Sequence, residues 1–490
     1  MPELKPVLVY SRYHTTSSIF ADTLKHLLTE KAPETDRFHF HVLLDDRRDG
    51  ETLRRLLPAD KVTIHHQYEG MDPYPKKADW TDETVDQWEK RYGNPHLRNY
   101  IVMERALEER PERMKWNFLF SHIDYFERLL QQIQPILYIS GAADGLSPWV
   151  AMTIMKENGI PILSFSPARF GRQSFILNNP FEILQISEAY RTFRREGVPP
   201  ELKKQAEDLI AGYQDRRLKP LDHLAVRVKQ RKRSPFPNPV SAIRLLKESL
   251  FTDSGKFDLP VTVAAARALA GRRTGLYKRL LSTKTAHRLP EGEDFFFLPL
   301  QYEPEISLAT QGRGWTRQRE LIKTIALSIP IDRWLYVKEH PSMLMGIRPW
   351  NFYREILSLP KVRLLSQSID SYEIVPLAET VLTITGTAGW EALMHRKPVF
   401  LFGHAFYEEF DEGVTRVNNL DDLPRLLRDV RNKRIDDQAL TAYVGAVLTK
   451  TRPGLFIEPR FYPEQRAEIL GNRNLKDIGQ IILEYLEGVS

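Results

Sequence analysis

Short apolar runs that stop at a turn signal recur through the first third of the chain. PVLVYSR at 6–12, FHFHVLLDD at 38–46, KVTIHH at 61–66, PILYISG at 135–141 and IPILSFS at 160–166 have strand length and strand-type residues. Between them lie helical patterns: one at roughly 16–31, FERLLQQI at 126–133, and PWVAMTIMKENG at 148–159. The last has Pro148 near its first turn and Gly159 after its end. Strand, helix, strand with short links predicts a parallel sheet covered on both faces. IPILSFS is expected to close the series.

The pattern breaks at 186–290, where helix formers and basic residues dominate and SPFPNP at 234–239 reads as a linker or turn. It resumes with FFFLPLQ at 295–301, WLYVKEH at 334–340, VRLLSQS at 362–368, TVLTITG at 380–386 and PVFLFG at 398–403. Helices are expected at roughly 316–328, 370–379, 387–396 and 420–431. Four divisions follow. Residues 1–185 are expected to form an N-terminal Rossmann-like domain, and 186–290 a basic helical insertion. Residues 291–445 are expected to form a C-terminal Rossmann-like domain. Residues 446–490 form a helical tail, broken by TRPGLFIEPRFYP, that packs back on the first lobe. The fold class is α/β, GT-B-like, with two doubly wound domains facing a cleft.

The strand exits carry the candidate chemistry. On a strand, Lys338 and His340 share a face while Glu339 points opposite, and Pro341 stops the strand. An imidazole N–H and an ammonium suit a phosphate oxygen. Thr385, Gly386 and Thr387 lead from a strand into a helix, whose start favours an anion; ordinary N-capping by Thr387 is the competing reading. Glu391 lies on the same helix face as Thr387 and offers a carboxylate to ribose hydroxyls, against an exposed helical Glu as the alternative. Gln301, Glu303 and Glu305 leave the FFFLPL strand as polar groups, with one of the acids a candidate nucleophile or base. Asp370 and Ser371 read first as a helix start and second as nucleotide contacts. A cation, an imidazole and a helix start at neighbouring strand ends suit a phosphate diester, and so a nucleotide-activated substrate and a transferase.

In the first lobe, Arg12, His14 and Thr15 lie in SRYHTTSS, which lacks the glycine spacing of a dinucleotide fingerprint. Asp144 in SGAADG is the first candidate base, with Glu305 the alternative. Arg169 and Arg172 in SPARFGR suit an anionic acceptor or donor carboxylate.

Composition narrows the class. The chain has 490 residues, enough for two or three domains, and 42% hydrophobic content suits a globular protein. It has no cysteine, which excludes disulfides, thiolate catalysis and cysteine-bound zinc. The opening MPELKPVLVYSRY goes almost straight into a strand, and no apolar run is long enough to span a bilayer. A cytoplasmic location is expected, with attachment to the inner membrane face an option. The net charge of +6 is clustered in RRLKP at 216–220, RVKQRKR at 227–233 and GRRTGLYKR at 271–279. These suit a solvated helical surface, or an anionic membrane or polyanionic glycan; nucleic acid is not expected as a partner. The His pairs at 39–41 and 65–66 lack carboxylates at metal-ligand spacing, so no metal is expected.

PLQYEPEIS at 299–307, VKEHPSM at 337–343 and the stretch DSYEIVPLAETVLTITGTAGWEALMHRKPVFLFGHAFY at 370–407 resemble the capsule polysaccharide biosynthesis family, which includes bacterial Kdo transferases. WEKRYGNP at 88–95 is similar to the N-terminal half of some relatives. The resemblance implies a GT-B fold, a metal-independent glycosyltransferase and a His-Pro pair on the donor phosphate, matched by His340 and Pro341, with Ser342 next. The family's Gln-x-x-x-Asp motif falls on Gln301 to Glu305, with Glu in place of Asp. The implied donor is CMP-Kdo or a CMP-linked nonulosonate, with UDP and GDP sugars open. The implied acceptor is a surface or capsular glycan or glycolipid. No cofactor beyond the nucleotide-sugar co-substrate is expected. The alternatives are a nucleotide-sugar epimerase or hydrolase on the same fold, and a non-catalytic glycan-binding assembly protein.

Overall fold

In a computed structural model the apolar runs become strands, most of their residues buried. The structure describes residues 4–11, 19–45, 53–72, 80–93, 97–104, 107, 110–141, 145–168, 170–179, 184–216, 218, 284–289, 291–303, 305–340, 343, 348–366, 368–457, 459 and 465–489. In chain order the strands are β1 (Lys5–Ser11), β2 (Phe38–Leu44), β3 (Val62–His66), β4 (Leu137–Gly141), β5 (Ile162–Pro167), β6 (Gln173–Leu177), β7 (Phe295–Pro299), β8 (Trp334–Lys338), β9 (Val362–Leu365), β10 (Thr380–Thr383), β11 (Val399–Leu401), β12 (Val414–Arg416) and β13 (Thr451–Pro453). They divide between two compact units. The first takes the described residues up to 179 and those from Thr451 on. The second takes 184–216, 218 and those from 284 to Lys450.

The first unit is built on a sheet of order β13-β6-β5-β4-β1-β2-β3. Its inner pairs are parallel, and its connections reverse direction between β1 and β4. One face of β1 and β2 contributes Val7, Val9, Phe38, Phe40 and Val42 to a core with Leu24 and Leu27 of the helix Ile19–Glu30. Ile478, Ile482 and Leu486 of the helix Asn472–Gly488 complete that core. Asn474, fully buried, ties the tail in place: it accepts from the Leu455 amide and donates to the Leu455 and Ile469 carbonyls. The expectation that IPILSFS closes the sheet is corrected. β6 pairs antiparallel with β5, and β13 from the tail pairs antiparallel with β6. A tight return at Gly171, with φ +57°, makes that antiparallel step possible. FERLLQQI is the end of one long helix, Glu112–Ile133.

The second unit has the order β12-β11-β10-β7-β8-β9, with every neighbouring pair parallel. From β7 the chain runs outward through β8 to β9, then returns to the other flank of β7 as β10. The exits of β7 and β10 therefore form the topological switch point, where ligands of open parallel sheets bind. Phe296, Leu298, Leu335, Val337, Leu382 and Phe400 form the core with Leu321, Ile322 and Ile325 of the helix Gln318–Ser328. The helices Ser187–Glu196 and Pro200–Gln214 belong to this unit, where Tyr190 donates to Glu412 and Gln214 to the Met394 carbonyl. Most of the basic middle region lies outside the described residues: of RRLKP only Arg216 and Leu218 are described, and RVKQRKR, SPFPNP and GRRTGLYKR not at all. Two expected helices are shorter than predicted. The 370–379 segment is the turn Ser371–Ile374 followed by a 3-10 turn Val375–Leu377, and 420–431 is split by 3-10 turns at both ends. Pro376 and Pro424 supply no N–H and interrupt these ladders. Among the described residues no helix is long and apolar enough to cross a membrane.

His39 and His41 of β2 and His65 of β3 line one face. His39 Nε2 lies 2.8 Å from Thr63 Oγ1, and His41 Nδ1 lies 2.9 Å from His65 Nε2. Among the described residues no group of three or more His, Asp or Glu side chains is placed to hold a metal. Burial first, then the neighbouring imidazoles, lower the pKa of His41 from 6.5 to about 4. Between those values the unfolded chain binds a proton that folded His41 refuses, so stability falls as pH drops through that window. Because the ring is only half-buried, the loss is discounted to about 1–2 kcal/mol. Thermal unfolding followed from about pH 7.5 to about pH 4.5 should show this decline, and His41→Gln should flatten it. Equal slopes in the two proteins would contradict the assignment.

Candidate functional site

The exits of β8, β7 and β10 lie side by side because β7 pairs with both neighbours. Gln301, two residues past β7, spans the gap to β10. Its Nε2 donates to Thr385 Oγ1 at 2.6 Å, and its Oε1 accepts from the Thr385 amide at 3.1 Å. On the other side, the ring of Tyr302 stands edge-on to His340, with centroids 6.0 Å apart. His340 and the Thr385 turn are thus joined through two consecutive residues of one loop.

That loop is held from beneath. Gln318, 2% exposed, accepts from the Gln301 amide and donates to the Gln301 carbonyl, both at 2.8 Å. Glu303 Oε2 accepts from the Gln318 amide at 3.1 Å and its Nε2 at 3.2 Å, and from Arg348 Nη1. Glu339 points into the unit, where its carboxylate accepts from Arg348, from Tyr353 Oη at 2.9 Å and from the His340 amide at 2.8 Å. Burial first, and next the charge of Glu339, push the Tyr353 hydroxyl pKa up, so it stays a donor.

The Thr385 turn is equally constrained. The Gly386 amide donates to Thr383 Oγ1 at 3.0 Å, and the Gly386 carbonyl accepts from Tyr407 Oη. A Cβ on Gly386 would fall 2.7 Å from Thr383 Oγ1. Thr387 occupies the N-cap position of the helix Ala388–Met394, but with helical dihedrals and no side-chain cap bond. The capping reading of Thr387 is therefore corrected: its exposed hydroxyl does not close the helix. The first-turn N–H groups of any helix lack intrahelical acceptors and face an incoming anion. The Thr385 turn and His340 thus flank the loop after β7 from its two sides.

Residues 261–451 match the model of a family described as capsule polysaccharide biosynthesis protein. Over that segment the chain is similar to that family. No curated protein matches the chain. Among solved structures, the chain is similar to Thermosulfurimonas dismutans KpsC, a beta Kdo 2,7 transferase, at 16% identity and TM-score 0.37. That likeness covers 71% of this chain and 89% of that one. It is also similar to the Methanocaldococcus jannaschii UDP-GlcNAc 2-epimerase in complex with UDP-GlcNAc and UDP, at 13% identity and TM-score 0.31, covering 91% and 99%. The S. aureus MnaA-UDP structure gives 12%, 0.27, and 91% of each chain. The family resemblance rests on the match over 261–451.

Within the capsule-synthesis segment, other expected residues take varied places. Lys338 ends β8 and is 4% exposed. Asp370 caps the turn Ser371–Ile374 by accepting from the Tyr372 amide at 3.0 Å, and Ser371 begins that turn. Glu391 is only 7% exposed, correcting the exposed-Glu alternative. Its charge, after burial itself, raises the hydroxyl pKa of Tyr213 and of Tyr407. Glu305 precedes the helix Ile306–Thr310 without a side-chain cap bond. Pro341 and Ser342 lie outside the described residues, as do Arg12, His14, Thr15, Asp144 and Arg169 of the first unit. Arg172 pairs with Glu468 at 3.2 Å and Asp477 at 3.9 Å within the first unit. Sequence reading missed Gln318, Arg348, Tyr353 and Tyr407, whose partners lie in other segments, and Thr383, whose partner is the nearby Gly386 amide. The one available signal was Glu339, a charged residue on the inward face of an apolar strand.

Gly389 gives a sign test. A Cβ there would lie 2.2 Å from Tyr407 Oη, the group that holds the Gly386 carbonyl. In a helix interior Gly→Ala normally stabilises by about 0.5–1 kcal/mol. Here Gly389→Ala should instead destabilise by about 1–3 kcal/mol, the cost of overpacking. Urea unfolding measures this, and a stabilised variant would contradict the packing described.

Proposed function

We propose that this protein is a glycosyltransferase of capsule-type polysaccharide assembly that holds a nucleotide-activated sugar at the exits of β7, β8 and β10. The observation that supports the reading is the Gln301 bridge across the switch point, with the Thr385 turn on one side of the loop after β7 and His340 on the other. His340 and the start of the helix Ala388–Met394 would take the phosphate, stabilising charge as the nucleotide leaves. Thr385, Gly386 and Thr387 would bind with them, and Lys338 adds positive charge from within. Pro341, Ser342, Asp370, Ser371 and Glu391 complete the proposed donor set.

The acceptor hydroxyl must lose a proton as it attacks the anomeric carbon, while the nucleotide departs with the bonding pair. Glu303 is a poor base because Arg348 and Gln318 already occupy its Oε2. Glu305 and Asp144 remain the candidates. The donor reading is CMP-Kdo or a related CMP-nonulosonate, and the acceptor a glycan or glycolipid bound through the first unit, with Arg12, His14, Thr15, Arg169 and Arg172 as candidate contacts. A phosphate site made of imidazole, hydroxyls and a helix start needs no metal to neutralise the leaving group. The location is proposed to be cytoplasmic, at the inner face of the membrane.

A thermal-shift screen of CMP, UDP, GDP and their sugars should give stabilisation by at least one, with CMP compounds expected to lead. His340→Ala should weaken donor use by about 2–4 kcal/mol. Full turnover in that variant would remove His340 from the site, and a protein that no nucleotide stabilises would end the reading. Epimerised nucleotide sugar formed without acceptor would replace it with an epimerase.

A further inference from the structure

Arg348 belongs to none of the motifs that define the site, yet it touches two of the three strand exits. It is 4% exposed. Its Nη2 donates to the Gln301 carbonyl at 2.9 Å, its Nη1 to Glu303, and its Nε to Glu339 Oε2 at 2.9 Å. Glu339 in turn accepts from the His340 amide. The guanidinium lies 4.7 Å over the Phe352 ring, which fixes its plane. Burial disfavours its charge, but the carboxylates of Glu339 and Glu303 outweigh that and raise its pKa.

We propose that Arg348 is a positioning residue, whose planar fork fixes the main chain at Gln301 and, through Glu339, at His340, so that the exits of β7 and β8 keep the spacing a sugar-nucleotide phosphate requires. This rests on the nucleotide-sugar reading of the site. Buried ion pairs add little stability over a well-packed apolar substitute, because desolvation offsets their attraction. Directional donors on three separate acceptors supply what apolar packing lacks, which is a fixed placement of main-chain atoms. Lysine cannot replace this, because its single ammonium has no rigid fork. Glu339 is thereby assigned as a relay to the His340 amide, and Glu303 as the counterweight that, with Gln318, holds the other side of the fork.

Two variants test the proposal: Arg348→Lys, and the neutral triple Arg348→Met, Glu303→Gln, Glu339→Gln, which serves if the single change fails to fold. Three quantities are read: the urea midpoint, amide exchange at Gln301 and His340, and affinity for the nucleotide that stabilises the wild-type protein. The expected result is a triple variant with a near-wild-type urea midpoint, exchange at both amides faster by about tenfold or more, and nucleotide affinity weaker by about tenfold or more. In turnover the loss should fall on the donor KM and leave the acceptor KM unchanged. A folded variant with unchanged exchange and unchanged affinity overturns the proposal. So does a loss that tracks the urea midpoint alone, since that marks a merely structural role. A wild-type protein that binds no nucleotide overturns the underlying reading instead, and the exchange rates, which need no ligand, tell the two failures apart.

Discussion

Two hydrogen bonds from one side chain hold the centre of this protein's second unit together. Where the connections of a parallel sheet diverge, the strand exits form the switch point at which ligands of open sheets bind. Gln301 is the residue at that point. Its amide supplies both a donor and an acceptor, and Thr385 supplies the complement. A carboxylate could not donate and an ammonium could not accept, so glutamine fits this position through its chemistry. Everything proposed for ligand binding requires the β7 and β10 exits to stay at this separation.

Stability and placement come from different groups. The apolar faces of β7, β8 and β10, packed on the helix Gln318–Ser328, supply the burial that makes the unit fold. The polar layer above them adds less net energy, because each buried group must recover what it lost in leaving water. Its connectivity has another consequence. Gln318, Glu303, Arg348 and Glu339 link the loop after β7 to the loop after β8, and Thr383 and Tyr407 brace the turn after β10. A site built this way is arranged before its ligand arrives, so little binding energy goes into ordering it.

The strands and their exits were legible in the sequence because buried parallel strands are continuous apolar runs and their ends are marked by polar residues. His340, Gln301 and the Thr385 turn were found by that rule. The bracing was not legible. Arg348 bonds to residues whose partnership depends on which strands lie side by side, and sequence spacing does not encode strand order. The same limit hid the antiparallel edge formed by β6 and β13, which lie far apart in the chain and meet only in the fold. Lys338 is the last residue of its strand and is buried, and His340 follows beyond the strand's end. Capping by Thr387, the competing reading, fails because its backbone is already helical, and an N-cap side chain needs extended dihedrals to reach back.

The most direct test is a crystal structure of the protein grown with CMP, or with whichever nucleotide raises its melting temperature. The account predicts phosphate oxygens in hydrogen-bond contact with His340 and with the turn Thr385–Thr387, on either side of an undisturbed Gln301. A nucleotide seated elsewhere, with those strand exits facing only solvent, would contradict it.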